Sequence, residues 1–255
     1  MMQRRLRILT AMLSLLLLGT SSAWAAPIPE PEPDPATHAL VIDFVEKDAY
    51  VEPYATRVII TPRYLRFDDG EGAADFILYD RKRKLIYSVT EEDHSVMVLR
   101  AKHHEAAPPV ELRMMHRAMG EMTDVPSVNG VKPRHYQFLV NGEVCYEYVV
   151  IPGLLKDAVA AFKEFNAVIA SDARLTVNII PADVRNVCSV AMSAYAVNYN
   201  LMHGFPVQGW SPDGKARSLL GYNENVAVNP TWFTLPAGYR RFTVEDVRGG
   251  GGRSR

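Results

Sequence analysis

The side chains with the most chemical potential are two cysteines and a set of histidines. Cys145 and Cys188 are the only thiols of the 255-residue chain. An even thiol count in an exported protein favours a disulfide. Two cysteines without histidines at ligand spacing make a poor zinc site. Of the seven histidines, the densest group is His103-His104-Glu105, with His94 upstream and His116 downstream. Adjacent residues on a strand face opposite sides, and this segment runs into Pro108-Pro109. An exposed loop is therefore expected there rather than a metal centre. Asp68-Asp69-Gly70-Glu71 places carboxylates together, but beside a glycine between two extended runs it reads as a turn. The sequence contains no His-Glu-x-x-His, EF-hand, Walker or Gly-x-Ser-x-Gly pattern. No catalytic, cofactor-binding or metal-ligating residue is assigned, and no cofactor is expected.

The remaining chemistry is apolar. Met114, Met115, Met119 and Met122 cluster within eleven residues, Leu112 to Met122. Methionine fills irregular cores and also lines adaptable binding surfaces, so both readings stay open. Candidates for a ligand cavity are Met115, Met119, Phe138, Tyr146, Phe162 and Tyr195. Trp210, Trp232 and Tyr239 read as core or edge cover, with the rim of an apolar groove as the functional alternative.

These side chains must be positioned mostly by strands. Ala39 to Val45 and Ala55 to Thr61 are extended runs. Tyr64 to Asp68, Phe76 to Tyr79, Leu85 to Val89 and Val96 to Leu99 follow one another through short charged connectors, the signature of an antiparallel meander. Tyr136, Phe138 and Val140 share one strand face. Asn141-Gly142 then offers a type I′ turn, and Val144, Tyr146, Tyr148 and Val150 share a face of the returning strand. Strict alternation puts Cys145 on the opposite face. Apolar residues at helical spacing predict a helix over Leu154 to Ala170, with Leu155, Val159, Phe162 and Ile169 on its buried stripe. A second helix is expected over Asp183 to His203, capped by Asp183 and ended by Gly204. Its stripe would hold Val184, Val187, Cys188, Ala191, Tyr195 and Met202. A Cys145–Cys188 bond would staple that helix to the hairpin, closing a loop of about forty residues and adding roughly 3–4 kcal/mol. Strands resume at Val207 to Trp210 and Ala216 to Tyr222, and the ordered part ends near Tyr239.

The first 25 residues read as a secretory leader. Arg4, Arg5 and Arg7 precede the apolar stretch Ile8 to Leu18, and Ala23-Trp24-Ala25 is a small-x-small cleavage site. No cysteine follows for a lipid anchor, and no later apolar run is long enough to span a bilayer. A released, periplasmic protein is expected. Pro27 to Pro35 alternates proline with acid and reads as a stiff, solvated linker over 26–38. A single domain over 39–245 and a disordered glycine-rich tail over 246–255 complete the expected layout. The formal net charge is −1, and the leader removes arginines only, so the mature chain lacks the basic face that nucleic acid requires.

This order of elements resembles the periplasmic lipoprotein-carrier (LolA-like) superfamily, in an uncharacterised exported branch. Tyr64-Leu65-Arg66-Phe67-Asp68, Ile77-Leu78-Tyr79-Asp80 and Leu85-Ile86-Tyr87-Ser88-Val89 look like the family's run of hairpins. Val128-Asn129-Gly130-Val131 looks like its glycine lead-in to a strand. Phe233-Thr234-Leu235-Pro236-Ala237-Gly238-Tyr239 is similar to the closing phrase of exported relatives. The resemblance implies an α+β fold, a strongly curved antiparallel half-barrel sheet with two helices packed on its concave side. It further implies a non-catalytic protein whose concavity could hold a lipid, a lipoprotein acyl chain or another hydrophobic group. Rival readings are an interaction or sensor module for an envelope protein and, third, an envelope enzyme.

Overall fold

The computed structural model describes residues 28–70, 72–102 and 106–248. The leader, the His103-His104-Glu105 group, Glu71 and the tail from Gly249 lie outside the described residues. Twelve strands form one open, curved sheet. A first run comprises β1 (His38–Lys47), β2 (Tyr54–Ile60), β3 (Tyr64–Asp68), β4 (Phe76–Asp80), β5 (Leu85–Thr90) and β6 (Ser95–Arg100). It continues through β7 (Met114–Glu121), β8 (Arg134–Val140), β9 (Glu143–Ile151), β10 (Phe205–Trp210), β11 (Ala216–Ala227) and β12 (Arg240–Thr243). The spatial order is β12-β6-β5-β4-β3-β2-β1-β11-β10-β9-β8-β7. The expected meander is present, and every pairing is antiparallel except β12 with β6, which makes the sheet mixed. The Asn141-Gly142 turn has φ of 55° and 90°, the left-handed pair that a type I′ hairpin needs.

Alternation along β1 to β6 buries both faces. Phe44, Ile60, Leu65, Tyr79, Ile86 and Leu99 join one cluster with helix α1 (Lys156–Thr176), through Ala158, Ala161, Phe162 and Val168. Ile59, Tyr64, Leu78, Tyr87, Val96 and Val98 point the other way, into a second cluster. That outer face is covered by the two ends of the described chain. Ile28 packs there from one end, and Val228, Trp232, Phe233, Leu235 and Tyr239 from the other. The Pro-acid segment is thus no solvated linker. Its backbone carbonyls at Pro29 and Glu32 accept hydrogen bonds from the Tyr87 and Tyr64 hydroxyls. Both rings are fully buried, and their hydroxyls have to find acceptors on this face. Arg63 and Arg83 pair with Glu32 in the same strap.

Asp68 ends β3 in the expected turn, but its carboxylate is fully buried. It accepts hydrogen bonds from Arg57 at 2.8 Å and Arg66 at 2.6 Å. Arg66 also donates to the Trp232 carbonyl, tying the outer cover to the sheet.

Helix α1 starts and ends later than the spacing predicts, and Ile169 of the expected stripe is exposed. The second helix is not continuous. A 3-10 turn at Ala182–Val184 is followed by α2 (Val187–Val190), a π turn at Ala191–Tyr195 and a 3-10 turn at Tyr199–Leu201. Asn186, not Asp183, caps α2 by accepting the Ser189 N–H. The wider turn closes through Ala196 N–H to the Ala191 carbonyl and lets the chain turn so that the Tyr199 ring meets Phe138 and Tyr146. Cys188 and Ala191 are buried as expected, while Val184 and Met202 are exposed. Gly204 does follow the last turn. A Cβ on it would sit 2.6 Å from the Ile151 carbonyl oxygen, so no other residue fits there.

Cys145 and Cys188 form the expected disulfide, with Cα atoms 5.3 Å apart, joining β9 to α2. The face of Cys145 differs from strict alternation. The β8–β9 register skips it, pairing Leu139 with Val144 and Phe138 with Tyr146. Such a bulge re-aims the extra residue, and Cys145 enters the cluster that holds Phe138, Tyr148 and Val150. After β12 a short helix, α3 (Val244–Arg248), carries the fold past the expected boundary at 245, and Arg248 pairs with Asp172 of α1.

Candidate hydrophobic cavity

Helix α1 does not fill the space against the sheet along its whole length. Beside Phe162 and Phe165 the sheet supplies Phe44 and Phe67, and the hairpin supplies Tyr146. The broken second helical segment closes the far wall with Met192, Val197 and Tyr199. Together with the polar side chains of Asn166, Ser189, Ser193, Asn200 and Gln208, these residues line a half-open cavity of about 490 Å³, within the range of small-ligand sites. The rings interlock, with the centroids of Phe67 and Phe165 5.0 Å apart and those of Tyr146 and Tyr199 5.1 Å apart. Gly209 on β10 lets Tyr146 lie flat, since a Cβ there would stand 2.5 Å from the Tyr146 hydroxyl. Burial pushes the Tyr146 hydroxyl up to about 12 and Tyr199 further in the same direction, so neither ionises in the physiological range.

One charge borders this aromatic wall. Arg217 of β11 lays its guanidinium 3.8 Å from the centroid of the Phe44 ring. Its Nε lies 3.3 Å from Glu46 Oε1. A larger opening of about 990 Å³ lies at the start of α1, but its lining includes Arg81, Lys156, Asp157 and Glu224. That polar wall suits water better than an apolar guest.

The six expected cavity residues divide. Tyr146 and Phe162 line the cavity. Phe138 is fully buried behind it, against Tyr199. Tyr195 turns elsewhere, donating its hydroxyl to the Ala107 carbonyl. Met115 and Met119 stand exposed on edge strand β7, together with Met114. Among the described residues their strand is the last of the sheet, with no neighbour on its outer side, which a one-dimensional pattern does not reveal. Phe44, Phe67, Phe165, Tyr199 and Arg217 escaped the sequence reading. Phe165 lies three residues after Phe162, a spacing that signals a shared helix face. Arg217 carries no comparable signal.

No side-chain set in this cavity offers a nucleophile beside a base. Among the described residues no group of three or more His, Cys, Asp or Glu is placed to hold a metal ion, and no helix is long and apolar enough to cross a membrane. Trp232 and Tyr239 belong to the outer cover. Trp210 packs on His135.

No family model matches the chain, and no curated protein does. Among solved structures it is similar to an uncharacterized conserved protein from Thermus thermophilus (TM-score 0.42, 9% identity, covering 81% of this chain and 91% of that one). It is also similar to PNGF-II (TM-score 0.37, 6% identity, 84% of this chain and 32% of that one) and to MucB (TM-score 0.36, 9% identity, 79% of this chain and 58% of that one). The chain spans about a third of PNGF-II and less than two thirds of MucB. At these identities none of the three transfers a function to this chain.

Proposed function

We propose that this chain is a non-catalytic periplasmic protein that holds a lipid, an acyl chain or another hydrophobic group between helix α1 and the curved sheet. The observation that carries this reading is the aromatic cavity of about 490 Å³ lined by Phe44, Phe67, Phe162, Phe165, Tyr146 and Tyr199. Burying an alkyl chain there is favourable by about 0.8 kcal/mol for each methylene removed from water. The disulfide and the leader-like start support export, because such a bond requires an oxidising compartment. The layout also resembles that of lipoprotein carriers.

Titration of the delipidated protein with N-phenyl-1-naphthylamine, a neutral dye that brightens in apolar surroundings, tests binding. Saturable enhancement at one dye per chain is expected, lost in Met192→Trp, which fills the cavity wall. No enhancement, or enhancement untouched by that variant, would sink the proposal. Cell fractionation with N-terminal sequencing of the mature protein tests the address; a chain retained in the cytoplasm with its leader intact would refute it.

A second reading, an envelope-protein interaction module, draws on strand β7. Among the described residues it is an edge without a further partner strand, carrying exposed Met114, Met115 and Met119, the kind of edge to which another chain can add a strand.

A further inference from the structure

The cavity carries one charged side chain, Arg217, beside the neutral polar groups of Asn166, Ser189, Ser193, Asn200 and Gln208, and that charge is poorly satisfied. Its Nε and Nη2 are shut off from solvent and have no hydrogen-bond partner among the described residues. Glu46 supplies a nearby charge at 3.3 Å from Nε, without hydrogen-bond geometry. Other neighbours are the Phe44 ring, the Phe162 ring with its centroid 5.9 Å away, and Tyr146, Tyr54 and Tyr199. Burial pulls the guanidinium below its ordinary value, against the opposing pull of Glu46.

Other arginines of the sheet are treated differently. Arg57 and Arg66 both donate to Asp68. Arg81, which borders the larger opening, is held by both oxygens of Glu164 at 2.8 and 2.9 Å. Arg217 alone of these four lines the aromatic cavity without a hydrogen-bonded carboxylate. A guanidinium is a planar fork that matches two oxygens of one oxyanion. Charged donors left unmatched in a low-dielectric wall are costly, and an anion recovers that cost once the guanidinium turns from the Phe44 ring to meet it.

We propose that the guest of this cavity is a single-chain amphiphile whose head is an oxyanion, a carboxylate or a phosphate, held by Arg217 while its alkyl chain lies among Phe44, Phe162, Phe165 and Tyr146. This rests on the proposed function and narrows it. A neutral apolar guest would leave the Arg217 fork unbonded. A head with two oxygens meets it and competes with Glu46 for the guanidinium.

Calorimetric titration of the delipidated full chain with dodecanoate, dodecyl phosphate and dodecan-1-ol at pH 8 tests this, each below its micelle concentration. At least one of the two anions should bind tenfold or more tightly than the alcohol, and the stronger one identifies the source of the head. Arg217→Leu should abolish the difference between anion and alcohol. Glu46→Gln, which removes the competing carboxylate, should tighten anion binding severalfold and keeps the test sharp if Arg217→Leu does not fold. Equal affinity for all three heads, or an anion preference that survives Arg217→Leu, overturns the inference and leaves the cavity reading standing. An anion preference unchanged by Glu46→Gln overturns it when Arg217→Leu is unfolded. Failure of all three probes to bind sinks the cavity reading itself.

Discussion

His116 and His203 sit with ring centroids 5.4 Å apart, and the His203 ring stacks on Tyr136. The Tyr148 hydroxyl lies 2.7 Å from His116 Nδ1. Burial pulls both histidines below 6.5, and for His116 the proximity of His203 adds to the effect. In the unfolded chain both take up protons near about pH 6.5, while in the fold they resist. The unfolded state therefore binds more protons as pH falls through this window. The stabilisation is complete above about pH 6.5 and is lost progressively below it. The urea midpoint should be lower at pH 5.5 than at pH 7.5, and the double variant His116→Gln/His203→Gln should flatten that difference. An equally steep dependence in the double variant would place its origin elsewhere. The pairing of these residues was not legible in the sequence, where His203 falls in a stretch that reads as the end of a helix. The broken backbone near Tyr199 is what brings it to β7.

At the scale of elements, two attachments hold the sheet's faces. The strap from Ile28 to Ala36 covers Tyr64 and Tyr87. A chain starting at Thr37 would lose two hydroxyl hydrogen bonds and part of an apolar cover, about 2–4 kcal/mol. Denaturant titration of that truncation should show the loss, and hydrogen exchange should quicken first in β3 to β5. Unchanged stability would mean the strap merely lies on the surface. The Cys145–Cys188 bond spans 43 residues and should add about 3–4 kcal/mol by restricting the unfolded chain. Urea unfolding with and without reductant measures this directly. The pairing itself was legible from two cysteines and an export signal. The face of Cys145 was not, because a bulge is set by the partner strand's register rather than by the residue pattern.

For the whole molecule, the cavity lies where α1, the sheet and the broken second helical segment meet. A guest bound there stabilises the folded state alone. Dodecanoate at a hundred times its dissociation constant should add about 2.7 kcal/mol to unfolding, read as a rise in the thermal midpoint that scales with the logarithm of ligand concentration. Dodecanoate that binds in calorimetry without raising the midpoint would mean that it also binds the unfolded chain.

The sequence by itself determined the meander, the Asn141-Gly142 hairpin, the first helix, the disulfide pairing and the mixed helix-and-strand class. All of these rest on local periodicity, on turn residues or on a forced choice between two thiols. Tertiary structure alone decided which aromatic residues share a cavity, that Pro29 and Glu32 serve as acceptors for buried tyrosines, that the second helix breaks, and that Arg217 faces Phe44. Each of these depends on contact between residues far apart in the chain. Arg217 and Phe44 meet because β11 crosses back to pair with β1. A strand's own pattern shows that its residues alternate, but only its neighbours decide what stands opposite them.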